Sequence, residues 1–412
     1  MSTALAHKTF ASVRKHRNYR LYFGGQAVSF TGSWVQQIAA SWLVLQLTHS
    51  PVAVGALALT QLLPVTVLGL FVGTILDRYD VRRVAFVTET SSLVIAALLA
   101  ILTLTGAVAV WEIYALALGQ GVAQAVGGPA WHALVFQMVG PEDLANAVAL
   151  NSSLGTLARI LGPAIGGVIV AFAGAGVAFS VNSASFLAEL LALLALDTSI
   201  MHKPIRDHGA TVVGGALDAL RFVKHSPRAG VAFFGVLVLS TFSFNFNVLL
   251  PLVADRTLRS GAQTFGLIAA VFGAGALCGA VTNAFRGRAS LRLLLIGAAG
   301  YGVFELVLAP QRSLVPVCLC LFVIGCFYTL WGTNALSAIQ LEAPEHLRGR
   351  AASLYFFAFL GGAPLGGLFA GWLSSAGGTQ LAFYVAGSIA VLTAALGIAR
   401  LAATTSSSLI SR

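Results

Sequence analysis

The sequence predicts an all-α integral membrane protein in which twelve transmembrane helices form two parallel six-helix repeats. Composition is the first reason: 58% of the residues are hydrophobic, 9% are charged, and the mean hydropathy is +0.87. That is more apolar side chain than a soluble core of 412 residues can cover, so a bilayer must solvate much of it. Second, the apolar runs are about 20 residues long and lack period-two alternation, which selects helices over an outer-membrane barrel. Backbone groups in lipid must pair within their own segment, so each run is expected to be a helix. Third, features of the first half recur six spans later in the same direction.

Taken in order, residues 1–20 are basic and lack a small-residue cleavage pattern, which fits a cytoplasmic lead-in tail. Spans are predicted over 21–47, 50–76, 84–106, 111–139, 146–173 and 176–196, an N-terminal half covering 21–196. The second set is 228–253, 264–285, 291–309, 313–338, 349–375 and 379–402, a C-terminal half covering 228–402, followed by a tail over 403–412. Between the halves, 197–227 is the long polar interval. Its KPIRDHG and the amphipathic GALDALRFVKH predict a cytoplasmic linker with a short interfacial helix.

Charge sets the orientation. Of the 24 lysines and arginines, all but Arg159, Arg256, Arg259 and Arg312 fall on one side when both termini are cytoplasmic. The net charge of +10 is thereby explained by basic loops facing an anionic leaflet, with no nucleic-acid partner needed. Cys278, Cys318, Cys320 and Cys326 all lie in apolar runs without metal-ligand spacing and are expected to act as small core hydrophobes.

The repeat is legible in motifs. Pro141-Glu142-x-Leu144 leads into span 5 with Gly166-Gly167, and Pro344-Glu345-x-Leu347 leads into span 11 with Gly366-Gly367. Span 2 ends in Gly73-x-x-x-Asp77 and span 8 in Gly279-x-x-x-Asn283, each before an arginine-rich loop. Matches in the same direction imply parallel halves about an axis along the membrane normal.

Several residues point to function. In GTILDRYDVRR, Asp77 with Arg78, Arg82 and Arg83 can form a charged clasp between helix ends, although arginines there also enforce topology. Arg159 lies about 13 residues inside its apolar run, roughly 20 Å along a helix. An intramembrane arginine must be paired or wet, which leaves either a structural pairing or a part in substrate or proton chemistry. Asn151, two turns away on much the same face, extends a polar track. Glu89, Glu189 and Glu305 are the acids within spans; Glu189 and Glu305 join Arg159 as coupling candidates, while Glu89 lies nearer cytoplasmic water. Gly162, Pro163, Gly166 and Gly167 give span 5 a small-residue face with a proline that removes one backbone donor.

Polar stripes suggest cavity walls. Span 1 carries Gln26, Ser29, Ser33, Gln37 and Ser41 at helical spacing with Trp34 alongside, and span 4 carries Gln120, Gln124 and Trp131. Span 7 offers Ser240, Ser243 and Asn247 with Asn245 adjacent. Span 10 offers Thr329, Thr333, Ser337 and Gln340 with Trp331 and Asn334 offset. Interhelical hydrogen bonding is the alternative for each stripe. A phosphate loop of the GxxxxGK[ST] type is missing, which argues against ATP hydrolysis, and no catalytic constellation or cofactor site is expected.

The spacing Gly73-x-x-x-Asp77-Arg78-x-x-x-Arg82-Arg83 resembles the loop 2–3 signature of the major facilitator superfamily. Gly162-Pro163-x-x-Gly166-Gly167 resembles the span 5 signature of its antiporters. RNYRLYFGGQAVSFTGSWVQQIAASWLVLQLT, ALNSSLGTLARILGPAIGG, NFNVLLPLVA and LRGRAASLY resemble its drug and siderophore (enterobactin-type) exporters, over nearly all of 14–400. Two departures stand out: Asp80-Val81 replaces the usual glycine of the loop, and Ala117 replaces the arginine before Gln120-Gly121.

The resemblance implies a monomeric multidrug or siderophore efflux antiporter of the bacterial cytoplasmic (inner) membrane, driven by a proton gradient. Small amphiphiles and membrane lipid are its partners. It further implies that spans 1, 4, 7 and 10 line the cavity and that the span 5 glycines pack against the other half. A lysophospholipid or lipid translocator of the same fold, and a membrane scaffold or receptor, are the competing readings.

Overall fold

The computed structural model describes residues 10–69, 72, 76, 78–202, 220–286, 290–344 and 347–410, and every regular element among them is helical. Among the described residues, eight helices are long and apolar enough to cross a membrane. One of them, Val110–Leu194, is 85 residues long and leaves helical geometry only at Gly140 and Gly174, so it holds spans 4, 5 and 6. Ala363–Ile410 likewise turns at Gly377 and Gly378, which separates span 11 from span 12. With Arg17–Thr48 as span 1, the described residues hold helical structure in each of the twelve predicted spans, span 2 being described over Pro51–Leu68.

The turns explain where the spans end. Gly140 and Gly174 have φ of 71° and 83°, a left-handed geometry that a side chain opposes and glycine accepts. Directly after Gly140, Pro141 opens span 5 with Glu142 and Asp143 in its first turn. Proline needs no amide partner there, and the acids complement the helix dipole. The helix therefore begins at 141, and its membrane-spanning apolar run follows from 146. Helical geometry then persists through Pro163, which lies inside the helix without breaking it.

Span 7 departs further from expectation. It runs as Pro227–Val238, a π-helical stretch Leu239–Ser243, Phe246–Leu252 and a second π-helical stretch Val253–Thr257. Phe244 and Asn245 leave helical geometry between them. The start is conventional, with Pro227 in the first turn and the Ser226 hydroxyl accepting from Ala229 N.

The chain forms two compact units, Met1–Leu47 with Leu63–His208, and Thr48–Leu62 with Gly209–Arg412. Within the first, the short helix Ala11–Lys15 docks on the start of span 5. Ser12 Oγ meets Asn146 Oδ1 at 2.8 Å, and Asp143 Oδ2 lies 2.7 Å from Lys15 Nζ and 2.8 Å from His16 Nε2. Asn18 closes the other side, donating to Asp197 O and accepting from Asp197 N. Residues 10–20, read from the sequence as part of a tail, are thus largely helical and docked.

Within the second unit, 48–62 seats on span 11. Gly55 lies against the Gly367 carbonyl, Gly371 against the Pro51 carbonyl, and Arg256 donates to His49 O at 2.6 Å. Helices in lipid gain little from the hydrophobic effect, so this close backbone approach, which only small residues permit, is what packs them. Large apolar side chains remain uncovered on the spans, Phe172 at 79% and Phe285 at 88% exposure, as a lipid-facing surface requires.

The sequence-predicted linker helix over 215–225 is described only from 220, and 220–225 is helical.

Candidate transport site

In the first unit, span 1 is the axis on which other helices converge. Toward span 6, Gly25 lies against Ala192 and the Glu189 backbone, and Gly32 lies against Asn182 and Ser185. This contact brings polar groups together: Gln26 Nε2 donates to Glu189 Oε1 at 2.9 Å, and Asn182 Nδ2 donates to Gln36 Oε1 at 2.8 Å. Gln26 and Ser29, expected on a cavity wall, are instead buried on the seam with span 6. Ser33 is exposed and Trp34 and Gln37 are half-buried, so the open face of span 1 lies on these residues.

Toward span 5, Gly162 packs on Trp34 and the Thr31 carbonyl, and Gly166 packs on Val35 and Ile38. The small-residue face therefore meets span 1 of its own unit, correcting the implied packing against the other half. Small residues on span 5 serve whichever helix lies nearest, and here that helix is span 1. Gly167 is also buried. One consequence is a cation–π contact: with Trp34 held at Gly162, the Arg159 guanidinium lies 5.3 Å from the indole centroid. Asn151 faces the same helix, accepting from Tyr19 Oη at 3.1 Å.

The third side of this unit holds Glu89. Trp131 Nε1 donates to Glu89 Oε1 at 2.9 Å, and the Tyr22 ring lies 5.1 Å from that of Trp131. Trp131 is thus a carboxylate partner rather than a wall residue. On span 4, Gln120 donates to Ser92 Oγ at 3.1 Å, whereas Gln124 is exposed.

The clasp motif divides. Arg82 donates to the carbonyls of Leu193 and Leu194 at the end of span 6, a cation at a helix C-terminus. Arg78 and Arg83 are exposed, and Asp80 caps the start of span 3 by accepting from Arg83 N. Asp77 and Gly73 lie outside the described residues.

In the second unit, the break in span 7 organises an aromatic cluster. Phe244 stacks on Tyr328 with centroids 4.4 Å apart and reaches Phe359 at 6.0 Å; Trp331 lies 6.1 Å from both Tyr328 and Phe359. Such π-helical irregularities inside helices often mark functional sites. Asn245 is buried and donates to Thr241 O, a carbonyl in the first π-helical stretch, while Asn247 is exposed. Trp331 also lines a cavity of about 380 Å³ with Gly230, Phe234, Leu294, Thr393 and Arg400.

Asn334 has a structural place. It accepts from Ser290 N at 2.9 Å and donates to Asn283 Oδ1 at 3.1 Å, tying span 10 to the end of span 8 and the N-cap of span 9. Glu305 is fully buried on span 9, and among the described residues neither carboxyl oxygen accepts a hydrogen bond. Tyr301, one turn earlier, interacts with it electrostatically without reaching hydrogen-bond geometry.

Sequence reasoning missed three things here: the Glu89–Trp131 bond, the Gln36–Asn182 bond and the span 7 break. Gly25 and Gly32, seven residues apart on one helix face, were the available signal for close approach to span 6. The span 7 break has no glycine or proline at 244–245 to announce it.

Outside the spans, ionisation follows the latch. The Lys15 ammonium, and next His16, hold the Asp143 carboxyl below its ordinary range, and Asp143 in turn raises Lys15. Among the described residues no group of acids, histidines and cysteines could hold a metal ion.

Helical spans around buried polar seams, with an aromatic cluster at a broken helix, define the class of multi-pass membrane transporters. A family model described as transmembrane secretion effector matches residues 7–412. The chain belongs to that family of the major facilitator superfamily, and it is a transport protein rather than an enzyme. It is 28% identical over 351 residues to the enterobactin exporter EntS of Escherichia coli O139:H28, covering 83% of this chain and 82% of that one. It is 23% identical over 338 residues to the staphyloferrin A transporter of Staphylococcus aureus, covering 81% and 84%. Among solved structures, the nucleoside transporter NupG aligns with a TM-score of 0.74 at 16% identity, over 93% of this chain and 99% of that one. A POT family transporter aligns at 0.75 and 11% identity, over 93% and 96%. At these identities the structures establish the fold.

Proposed function

We propose that the protein is a secondary-active exporter that moves amphiphilic, siderophore-like small molecules out of the cell by alternating access, with proton entry as the driving reaction. The observation that carries this reading is a division of chemistry. The second unit offers an aromatic wall at a broken helix, suited to a bulky amphiphile. Ionisable groups stand inside the spans, with Arg159 on Trp34, Glu189 bonded to Gln26, and Glu305 buried on span 9. Side chains of that kind are costly in lipid and serve ion pathways in transporters. The siderophore class is supported by the enterobactin exporter and the staphyloferrin A transporter as relatives over four fifths of the chain.

The bias of basic residues supports a bacterial cytoplasmic membrane with both termini inside, and a single chain suffices as the working unit. Asp77, with Arg78, Arg82 and Arg83, acts in this reading as a clasp at the cytoplasmic helix ends.

The test is export from a deletion strain, followed by uptake of the same siderophore into inverted vesicles under an imposed pH gradient. Accumulation that ignores the gradient would remove the proton coupling, and unchanged siderophore secretion would remove the substrate class. A lipid translocator is the second reading, favoured by the cavity with Arg400 on its lining. Movement of labelled lysophospholipid between leaflets without a gradient would select it.

A further inference from the structure

Glu89 and Glu189 are both buried in the first unit, at 7% and 1% exposure. Each is held by a neutral donor, Glu89 by Trp131 Nε1 and Glu189 by Gln26 Nε2, both at 2.9 Å. The Ser29 hydroxyl also stands against Glu189. Among the described residues Glu89 Oε2 has no hydrogen-bond partner. The two carboxyl groups interact electrostatically with each other and with the Tyr22 hydroxyl.

Among the described residues, no lysine or arginine acts on either carboxyl. Span 1 presents Tyr19 and Tyr22, span 4 presents Trp131, and span 5 presents Asn151, which lies 3.5 Å from Tyr22 Oη. Span 3 presents Thr88 and Ser92 beside Glu89, and its Arg82 donates to the Leu193 and Leu194 carbonyls. Two carboxylates in a dry seam oppose each other's ionisation, and titrating groups so placed behave as one unit. Neutral N–H and O–H donors can support one negative charge there, not two.

We propose that Glu89 and Glu189 form a single proton-binding site, in which one carboxyl keeps its proton while the other exchanges its proton with water. In the exchange a carboxyl O–H bond breaks, the proton leaves to water, and the charge stays on an oxygen facing Trp131 or Gln26. The Tyr22, Asn151 and Tyr19 side chains lead from this site toward the docked Ala11–Lys15 helix, where water has access. Any part of this site in driving export rests on the reading above; the site itself does not.

The experiment is infrared difference spectroscopy of the full chain in nanodiscs, between acidic and alkaline buffer, with no substrate present. The wild type is expected to lose one carboxylic C=O band while another persists. Glu89→Gln and Glu189→Gln should each alter the band of the remaining acid, and the double variant should lack both. A wild-type spectrum equal to the sum of the two single-variant spectra would overturn the pair, since it would mean independent acids. Trp131 emission, isolated by subtracting Trp131→Phe, gives a second readout. Its pH response should move to lower pH in Glu189→Gln, because the opposing charge is gone while the Trp131–Glu89 bond remains; an unmoved response would overturn the pair. If either carboxyl variant misfolds, Gln26→Leu leaves both acids in place and should displace the midpoint of the Trp131 response; an unmoved midpoint counts against the site. Because no substrate is used, these outcomes are separate from failure of proton-driven export.

Discussion

Replacing Gly162 by alanine tests the contact that places Arg159. The added methyl would overlap the Trp34 Cβ and stand 3.1 Å from the Thr31 carbonyl and 3.3 Å from Trp34 Cγ. Its neighbours are Cβ and backbone atoms rather than the free end of a flexible side chain, so spans 1 and 5 must move apart. Overpacking of this kind costs about 1–3 kcal/mol. The movement also draws the indole away from the Arg159 guanidinium, now 5.3 Å from its centroid, and such contacts contribute about 0.5–2 kcal/mol. Together these predict a loss of about 1.5–5 kcal/mol, roughly 10- to 4000-fold in the folding equilibrium. The assay is unfolding of purified protein in mixed micelles with increasing denaturing detergent. A Trp34→Gly background should remove at least half of the penalty, because it takes away the overlapped Cβ together with the indole. An equal penalty in both backgrounds would refute the assignment of the effect to Trp34.

Three further outcomes are expected. Arg159→Ala should abolish siderophore export in a complemented deletion strain, while Arg159→Lys should retain part, since an ammonium keeps the charge over Trp34 but not the planar stacking of a guanidinium; full export by Arg159→Ala would make the residue structural. Glu305→Leu should raise the unfolding midpoint by about 1 kcal/mol, because a buried carboxyl without hydrogen bonds gives way to an apolar side chain of similar size; a lowered midpoint would show that the carboxyl has partners in the membrane. The latch between Ala11–Lys15 and span 5 should depend on pH with a definite sign. The depressed Asp143 contributes above its ordinary carboxylate range and fails as pH falls through its folded value, while the raised Lys15 contributes below its ordinary range and fails as pH rises through its own. Protease access to residues 10–16 should therefore be lowest between those limits, and Asp143→Asn should flatten the profile.

Much of the fold was legible because lipid imposes simple rules on sequence. A span must be about 20 apolar residues, basic loops gather on one side, and turns carry glycine or proline. These rules gave the span count, and they placed Gly140 and Gly174 close to predicted boundaries. The candidate site was less legible. Polar spacing on span 1 identified Gln26 and Trp34 as notable, yet it assigned both to one wall, whereas Gln26 bonds Glu189 and Trp34 meets Arg159. A helix has several polar faces, and periodicity does not say which neighbour each one meets.

The sequence by itself determined the class of protein, the approximate spans, the parallel repeat and the family signatures, because hydropathy, charge bias and motif spacing are local properties of the chain. Tertiary structure alone decided that the span 5 glycines pack on span 1, that Glu89 pairs with Trp131, and that span 7 breaks at Phe244 and Asn245. These depend on which helices become neighbours and at what rotation. In lipid that choice rests on close packing and on the few polar groups that must find one another, and neither is written at any single position.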